Sequence, residues 1–245
     1  MLTLRALSHR YGDRLALDAV SAEMPAGHIV ALVGRNGSGK TTLLRAIAAL
    51  VSPASGSIEW RGIEPRALRP RMRARQIAYV AQHPSLAIDL TVREMVALGA
   101  SQRQPAEGTR AVDGALAQIA LESRAARSFH ELSAGERQLC VVARALAQHE
   151  AGGLLVLDEP FSNLDPGETV RLAKVLRGVA DRGGLVVVAL HDLPLADQVA
   201  DSVLLLEEGR VVGHGPPGDV LVPERLESVF KCPFLRGPQG LTLGR

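Results

Sequence analysis

Ile29-Val30-Ala31-Leu32-Val33-Gly34-Arg35-Asn36-Gly37-Ser38-Gly39-Lys40-Thr41 carries two signals in one run. Its first part, entered through Gly27-His28, is a compact apolar segment of the kind that forms a buried parallel strand. Its second part fits GxxxxGK[ST], and Thr41 to Leu50 has helical character closed by Ser52-Pro53. Strand, glycine-rich turn and helix in that order predict a loop that wraps a phosphate chain. Glycines let backbone N–H groups turn inward where a Cβ would obstruct. The helix aims the positive end of its dipole at the same phosphates. Lys40 is placed to reach β- and γ-phosphates, and the Thr41 hydroxyl to bind Mg²⁺. The candidate nucleotide contacts of this loop are Gly34, Asn36, Gly37, Ser38, Gly39, Lys40, Thr41 and Thr42.

Downstream, Leu154-Leu155-Val156-Leu157-Asp158-Glu159 is an apolar strand ending in two acids. Such a strand delivers a carboxylate to Mg²⁺ at the carboxyl edge of a sheet, beside the phosphate loop. Asp158 suits the metal; Glu159, projecting differently, suits polarisation of an attacking water.

Leu2 to Leu7 and Ala16 to Glu23 alternate as strands, and Ser57 to Trp60 and Ile77 to Val80 are further short strands. From Thr91 to His149 the pattern is helical, with Gly99 to Gly108 expected as a polar loop. A helix over Glu168 to Ala180 precedes an apolar strand, Leu185 to Leu190, and Glu208-Gly209 turns a hairpin between Val203–Leu206 and Arg210–Val212. The order predicts an α/β fold, a mostly parallel sheet interrupted by a helical insertion over roughly 85–150. One domain over 1–245 is expected.

A net charge of +2 gives no overall bias toward nucleic acid or an anionic surface. Cys140 and Cys232 lie far apart without metal-ligand spacing, and read as free thiols in a reducing compartment. Neither a signal peptide nor an apolar run of about 20 residues stands out, so a soluble chain is expected.

Five further short matches narrow the family. Leu132-Ser133-Ala134-Gly135-Glu136-Arg137-Gln138 resembles the LSGGQ signature of ABC ATPases. Ser162-Asn163-Leu164-Asp165 is similar to their D-loop, His191 to the H-loop histidine, Gln82 to the Q-loop glutamine, and Tyr11 to the aromatic that stacks on adenine. Taken with the phosphate loop, they stand in the family's order from Tyr11 to about Gly215.

That resemblance implies a P-loop NTPase core of the RecA-like kind with an N-terminal antiparallel β subdomain and the helical insertion. It also implies an Mg²⁺-dependent ATPase working as a head-to-tail dimer, in which Ser133 and Gly135 complete the site of the opposite copy. Gln82 is then expected at Mg²⁺ or the attacking water, and His191 at the γ-phosphate, both joining Glu159 as candidate catalytic residues; Thr41, Gln82 and Asp158 are the candidate metal ligands. Ala134 and Glu136 depart from the signature's usual glycine and glutamine. A methyl at 134 fits if φ there is negative, and Glu136 is expected to face away from the nucleotide.

The segments Arg75–Gln82 and Leu90–Gly99, and the wording of the phosphate loop, look like those of importers for ferric siderophores, haem and cobalamin. The implied partners are a second copy, an integral membrane permease, and a periplasmic or surface substrate-binding protein. The implied location is the cytoplasmic face of the bacterial inner membrane. The alternative class is a soluble ABC-type ATPase acting on a protein or nucleic-acid complex. Arg66, Arg69, Arg71, Arg73 and Arg75 lack interleaved aromatics and a groove-binding motif, so no nucleic-acid partner is expected. They read as a solvated face, or one near the membrane partner or lipid headgroups.

Overall fold

A computed structural model describes residues 1–82, 88–237 and 240–244. In chain order the elements are β1 (Leu2–Tyr11), β2 (Arg14–Met24), β3 (Ile29–Val33), α1 (Lys40–Ile47), β4 (Ser55–Trp60), α2 (Pro70–Gln76), β5 (Ile77–Val80), α3 (Val92–Ala97), α4 (Pro105–Ile119) and α5 (Ala134–Gln148). They continue as β6 (Leu154–Asp158), α6 (Pro166–Asp181), β7 (Leu185–Ala189), α7 (Leu193–Val199), β8 (Ser202–Glu207), β9 (Arg210–Gly215), α8 (Pro217–Val220), α9 (Pro223–Phe230), β10 (Phe234–Gly237) and β11 (Gly240–Leu243).

The central sheet runs β5-β6-β7-β3-β8-β9, parallel except for β9, which returns antiparallel to β8. Every residue of β3, β6 and β7 is buried. Period-two alternation divides each strand between two cores. Ala31, Val33, Leu155, Leu157, Val186 and Val188 face a core shared with α3 to α6. Val30, Leu32, Leu154, Val156 and Val187 face a core shared with α1 and the antiparallel sheet β2-β1-β4. Each buried Val or Leu contributes about 1.5–3 kcal/mol, against ~1–2 kcal/mol for fixing one residue's backbone, so strands of five residues depend on having every side chain buried.

The antiparallel sheet β2-β1-β4 is present, and helices α3 to α5 lie between β5 and β6, with residues 85–87 of the expected insertion outside the described part. Details differ. Residues 105–108 are the first turn of α4 rather than loop, because Pro105 starts a helix with its φ preset and no N–H to leave unpaired. The short elements α7 to α9 and the hairpin β10-β11 carry no strong periodicity and were not expected.

Candidate active site

The phosphate loop turns on backbone geometry that only glycine adopts freely. Gly34, Gly37 and Gly39 have φ of 147°, 78° and 107°. A Cβ on Gly34 would lie 2.2 Å from the Leu206 carbonyl oxygen, and one on Gly39 would lie 2.6 Å from that of Ala16. The loop is therefore pressed against β8 on one side and β2 on the other. Helix α1 opens on Gly39 with no side-chain cap and no acid in its first turn, so its first N–H groups remain for an anion. Lys40 is buried, and its Nζ donates to the carbonyls of Gly34 (2.7 Å) and Arg35 (3.2 Å). Burial holds its pKa below the usual lysine value, with Glu159 and Asp158 acting the other way.

At the end of β6, Asp158 is 1% exposed and its Oδ1 has no hydrogen-bond partner. Burial raises its pKa; the Thr41 hydroxyl beside it opposes that rise. Glu159 breaks out of the strand at φ 52°, a left-handed conformation costing about 1 kcal/mol for a side chain with a Cβ. The break is held by Glu159 N–H donating to Ala189 O (3.2 Å) and by Ser162 N–H and Oγ–H donating to Glu159 O (3.3 and 2.9 Å). It aims the carboxylate at two partners. Gln82 Nε2 donates to Oε2 at 2.6 Å, and His191 Nε2 pairs with Oε1.

Tyr11, Asn36, Gly37, Gly39, Lys40, Thr41, Thr42, Gln82, Glu159 and His191 thus line one cleft of about 380 Å³. Gly34, Ser38 and Asp158 are buried and are not among its lining residues. Arg14 and Ala16 also line the cleft and were not singled out in the sequence. Arg14 opens β2 and reaches toward Gly37 O at 3.5 Å, a cross-element contact with no local sequence mark. Arg45, on the last turn of α1, faces Tyr79 and Tyr11, and Tyr79 above all raises its pKa.

Ser133 and Gly135 are not among the residues lining this cleft. Ser133 caps α5: its Oγ accepts from Glu136 N (3.1 Å), and Glu136 Oε2 accepts from Ser133 N (2.9 Å). Glu136 also pairs with Arg124. Position 136 therefore has a local job that the sequence comparison with LSGGQ did not reveal. Ala134 is the first residue of α5 and is not among the positive-φ residues, so its methyl is accommodated. Gly135 is constrained: a Cβ there would lie 2.7 Å from Asn163 O and 2.9 Å from Glu168 Oε2, joining the signature to the turn before α6.

The ABC transporter family model matches residues 17–162. A cobalamin import ATP-binding protein of Halobacterium salinarum is 40% identical over 224 residues, covering 89% of this chain and 56% of that protein, so this chain spans little more than half its length. A hemin import ATP-binding protein of Pseudomonas entomophila is 39% identical over 245 residues, covering 97% of this chain and 95% of that protein. Among solved structures, a dimeric ATP-binding cassette in a post-hydrolysis state bound to ADP and Pi superposes with a TM-score of 0.79 at 26% identity, over 89% of this chain and 99% of that one. With the family model matching more than half of its length, and the phosphate loop, acids and signature in place, the chain belongs to the ABC transporter family.

Proposed function

We propose that this chain is the ATP-hydrolysing subunit of an ABC importer, and that it works as a head-to-tail dimer on a membrane permease. The observation that carries the catalytic half is the placement of Glu159, held at both oxygens by Gln82 and His191 beside Lys40 and Thr41. In this scheme the loop N–H groups and Lys40 hold the β- and γ-phosphates of ATP. Glu159 accepts a proton from water as the water oxygen bonds to Pγ and the bond from Pγ to the bridging oxygen breaks, leaving ADP and phosphate. His191 orients Glu159 and comes near enough to the cleft to meet the γ-phosphate. Tyr11 is the platform for adenine.

The unpartnered, buried Oδ1 of Asp158 beside the Thr41 hydroxyl supplies oxygen donors of the kind a hard cation takes from protein, and these residues fit Mg²⁺ with phosphate and water completing its shell. Thr41 and Asp158 would hold the ion, with the amide oxygen of Gln82 as a further ligand. When bound, Mg²⁺ neutralises charge on the phosphates.

The names of the relatives support a cargo of the haem or cobalamin class. The wording of the phosphate loop and of Arg75–Gln82 extends the proposal to ferric siderophores, and a substrate-binding protein on the far side of the membrane is proposed to deliver the cargo. Among the described residues no helix is long and apolar enough to cross a membrane, in keeping with attachment to the cytoplasmic face through a permease. Purification from solubilised membranes tests both halves at once. An integral membrane protein should accompany the chain, and the complex should release phosphate from Mg²⁺-ATP in a manner lost in Lys40→Ala. Recovery with soluble partners only would favour the non-transport alternative; no phosphate release by the wild type would sink the ATPase assignment.

A further inference from the structure

The segment 61–76 concentrates charge that the whole-chain balance conceals. It holds six arginines (Arg61, Arg66, Arg69, Arg71, Arg73 and Arg75) and one acid, Glu64, for a net charge of +5. The chain as a whole is +2, so everything outside this segment sums to −3.

The two ends of the segment are fastened to the body. Arg61 stacks on Trp60 at 5.2 Å and donates to Gly152 O at 2.6 Å. Arg75 pairs with Glu150 and, at 3.5 Å, with Glu107. Between these anchors Arg66, Arg69 and Arg71 are exposed and Arg73 is half-buried, and among the described residues none of the four has an acidic partner. Helix α2 has no buried residue at all. It is not there to fill the core. The same segment carries two exposed apolar side chains, Met72 (50% exposed) and Ile63 (48%).

Planar cations that bind phosphate, interspersed with apolar side chains able to enter an interfacial layer, are complementary to one surface in particular. We propose that this exposed segment, through Arg66, Arg69, Arg71, Arg73, Ile63 and Met72, docks on the headgroups of anionic phospholipids in a bilayer. The contact adds a direct lipid grip to the permease-borne attachment proposed above. It does not require that reading, because it needs neither permease nor ATP. A single-stranded nucleic acid offers phosphates too, but this patch provides no aromatic side chain on which bases would stack.

The test is sedimentation of the purified full chain with vesicles of phosphatidylcholine alone and of phosphatidylcholine with phosphatidylglycerol in equal parts. Binding should be confined to the vesicles containing phosphatidylglycerol and should fall away as salt rises to about 0.5 M. Each free arginine near an anionic surface strengthens binding about fivefold, so the triple variant Arg66→Gln, Arg69→Gln, Arg71→Gln should bind about 100-fold more weakly. Its phosphate release from ATP should match the wild type, which shows that the variant is folded and keeps the ATPase reading separate. Met72→Ser should weaken binding without altering the salt response. Equal binding of the wild type to both kinds of vesicle overturns the proposal, as does triple-variant binding at the wild-type level. Tighter binding of a single-stranded oligonucleotide than of the anionic vesicles also overturns it, in favour of a nucleic-acid surface.

Discussion

Helices α1 and α5 both begin where a phosphate is expected, and their first turns are built in opposite ways. At α1 the N-cap is Gly39, no side chain caps it, and no acid occupies the first turn. At α5 the cap is Ser133, closed reciprocally by Glu136, whose charge is in turn paired with Arg124. The first end is left open by glycines pressed against neighbouring carbonyls, and so depends on the buried sheet for its shape. The second is stabilised on its own, at an exposed edge. In the proposed dimer, an open end holds a nucleotide phosphate on its own copy, and a self-capped end keeps its form until the second copy brings its nucleotide to it. Ser133 suits both conditions, since a hydroxyl that accepts from Glu136 N still has its own O–H to donate to a phosphate oxygen.

The sharpest way to break this division of labour is to disable chemistry on the α1 side while leaving phosphate binding intact. In Glu159→Gln the side chain keeps its size but loses its basicity. Turnover should fall by about 10²–10⁴-fold, ATP should still bind, and a nucleotide-bound dimer should accumulate. Steady-state phosphate release and dimer content by size-exclusion chromatography check this. Unchanged turnover would remove Glu159 from the reaction, whereas loss of ATP binding would move it to the metal.

Asp158→Asn sharpens the comparison from the same side, with a smaller effect that stabilises the nucleotide-free fold. A buried carboxylate oxygen without a partner carries a desolvation cost that an amide lessens. Burial raises the folded-state pKa of Asp158 above its unfolded value. The folded protein therefore loses stability as pH rises through that window, and the penalty is complete above the folded pKa. Without nucleotide and Mg²⁺, Asp158→Asn should melt about 2–4 °C higher than the wild type near neutral pH. The gap should close as the medium is acidified, and the variant should lose the further rise that Mg²⁺-ATP gives the wild type. Equal melting temperatures at all pH values would mean that the carboxylate is satisfied without a cation.

The contrast between the two helix starts also explains what could be read in advance. The α1 end is written locally: glycines, Lys40 and Thr41 adjoin an apolar strand, and Asp158 and Glu159 end another. Period-two burial did the rest for β3, β6 and β7. The meeting of Gln82, Glu159 and His191 was legible only as three separate positions, because it depends on the left-handed turn at Glu159 and on three different strand ends. Arg14 and Arg45 escaped notice because their partners lie on other elements. Glu136 looked like a departure from a signature, while its hydrogen bonds make it half of a cap. The elements after β9 are short and gave no periodic signal.

Glu136→Gln is the gentlest test and bears on the α5 end alone. Glutamine can accept from Ser133 N as glutamate does, so the reciprocal cap should survive. What goes is the negative charge, and with it the ion pair to Arg124, which at this partly exposed position contributes about 0–1 kcal/mol. The helix also loses an anion at its positive end, about 0.3–1 kcal/mol. The melting temperature should therefore fall by no more than a few degrees. If a phosphate of the opposite copy's ATP approaches this end, removing a fixed negative charge beside it lowers the repulsion by a similar amount. KM for ATP should then drop about two- to fivefold while turnover at saturation stays within about twofold. The effect should vanish in a monomeric preparation, where direct ATP binding to the phosphate loop is measured instead. An unchanged KM in the dimer would mean that Arg124 already neutralises the carboxylate as seen by the nucleotide. A raised KM would mean that Glu136 itself contacts the nucleotide, and that the α5 end is less self-contained than its cap suggests.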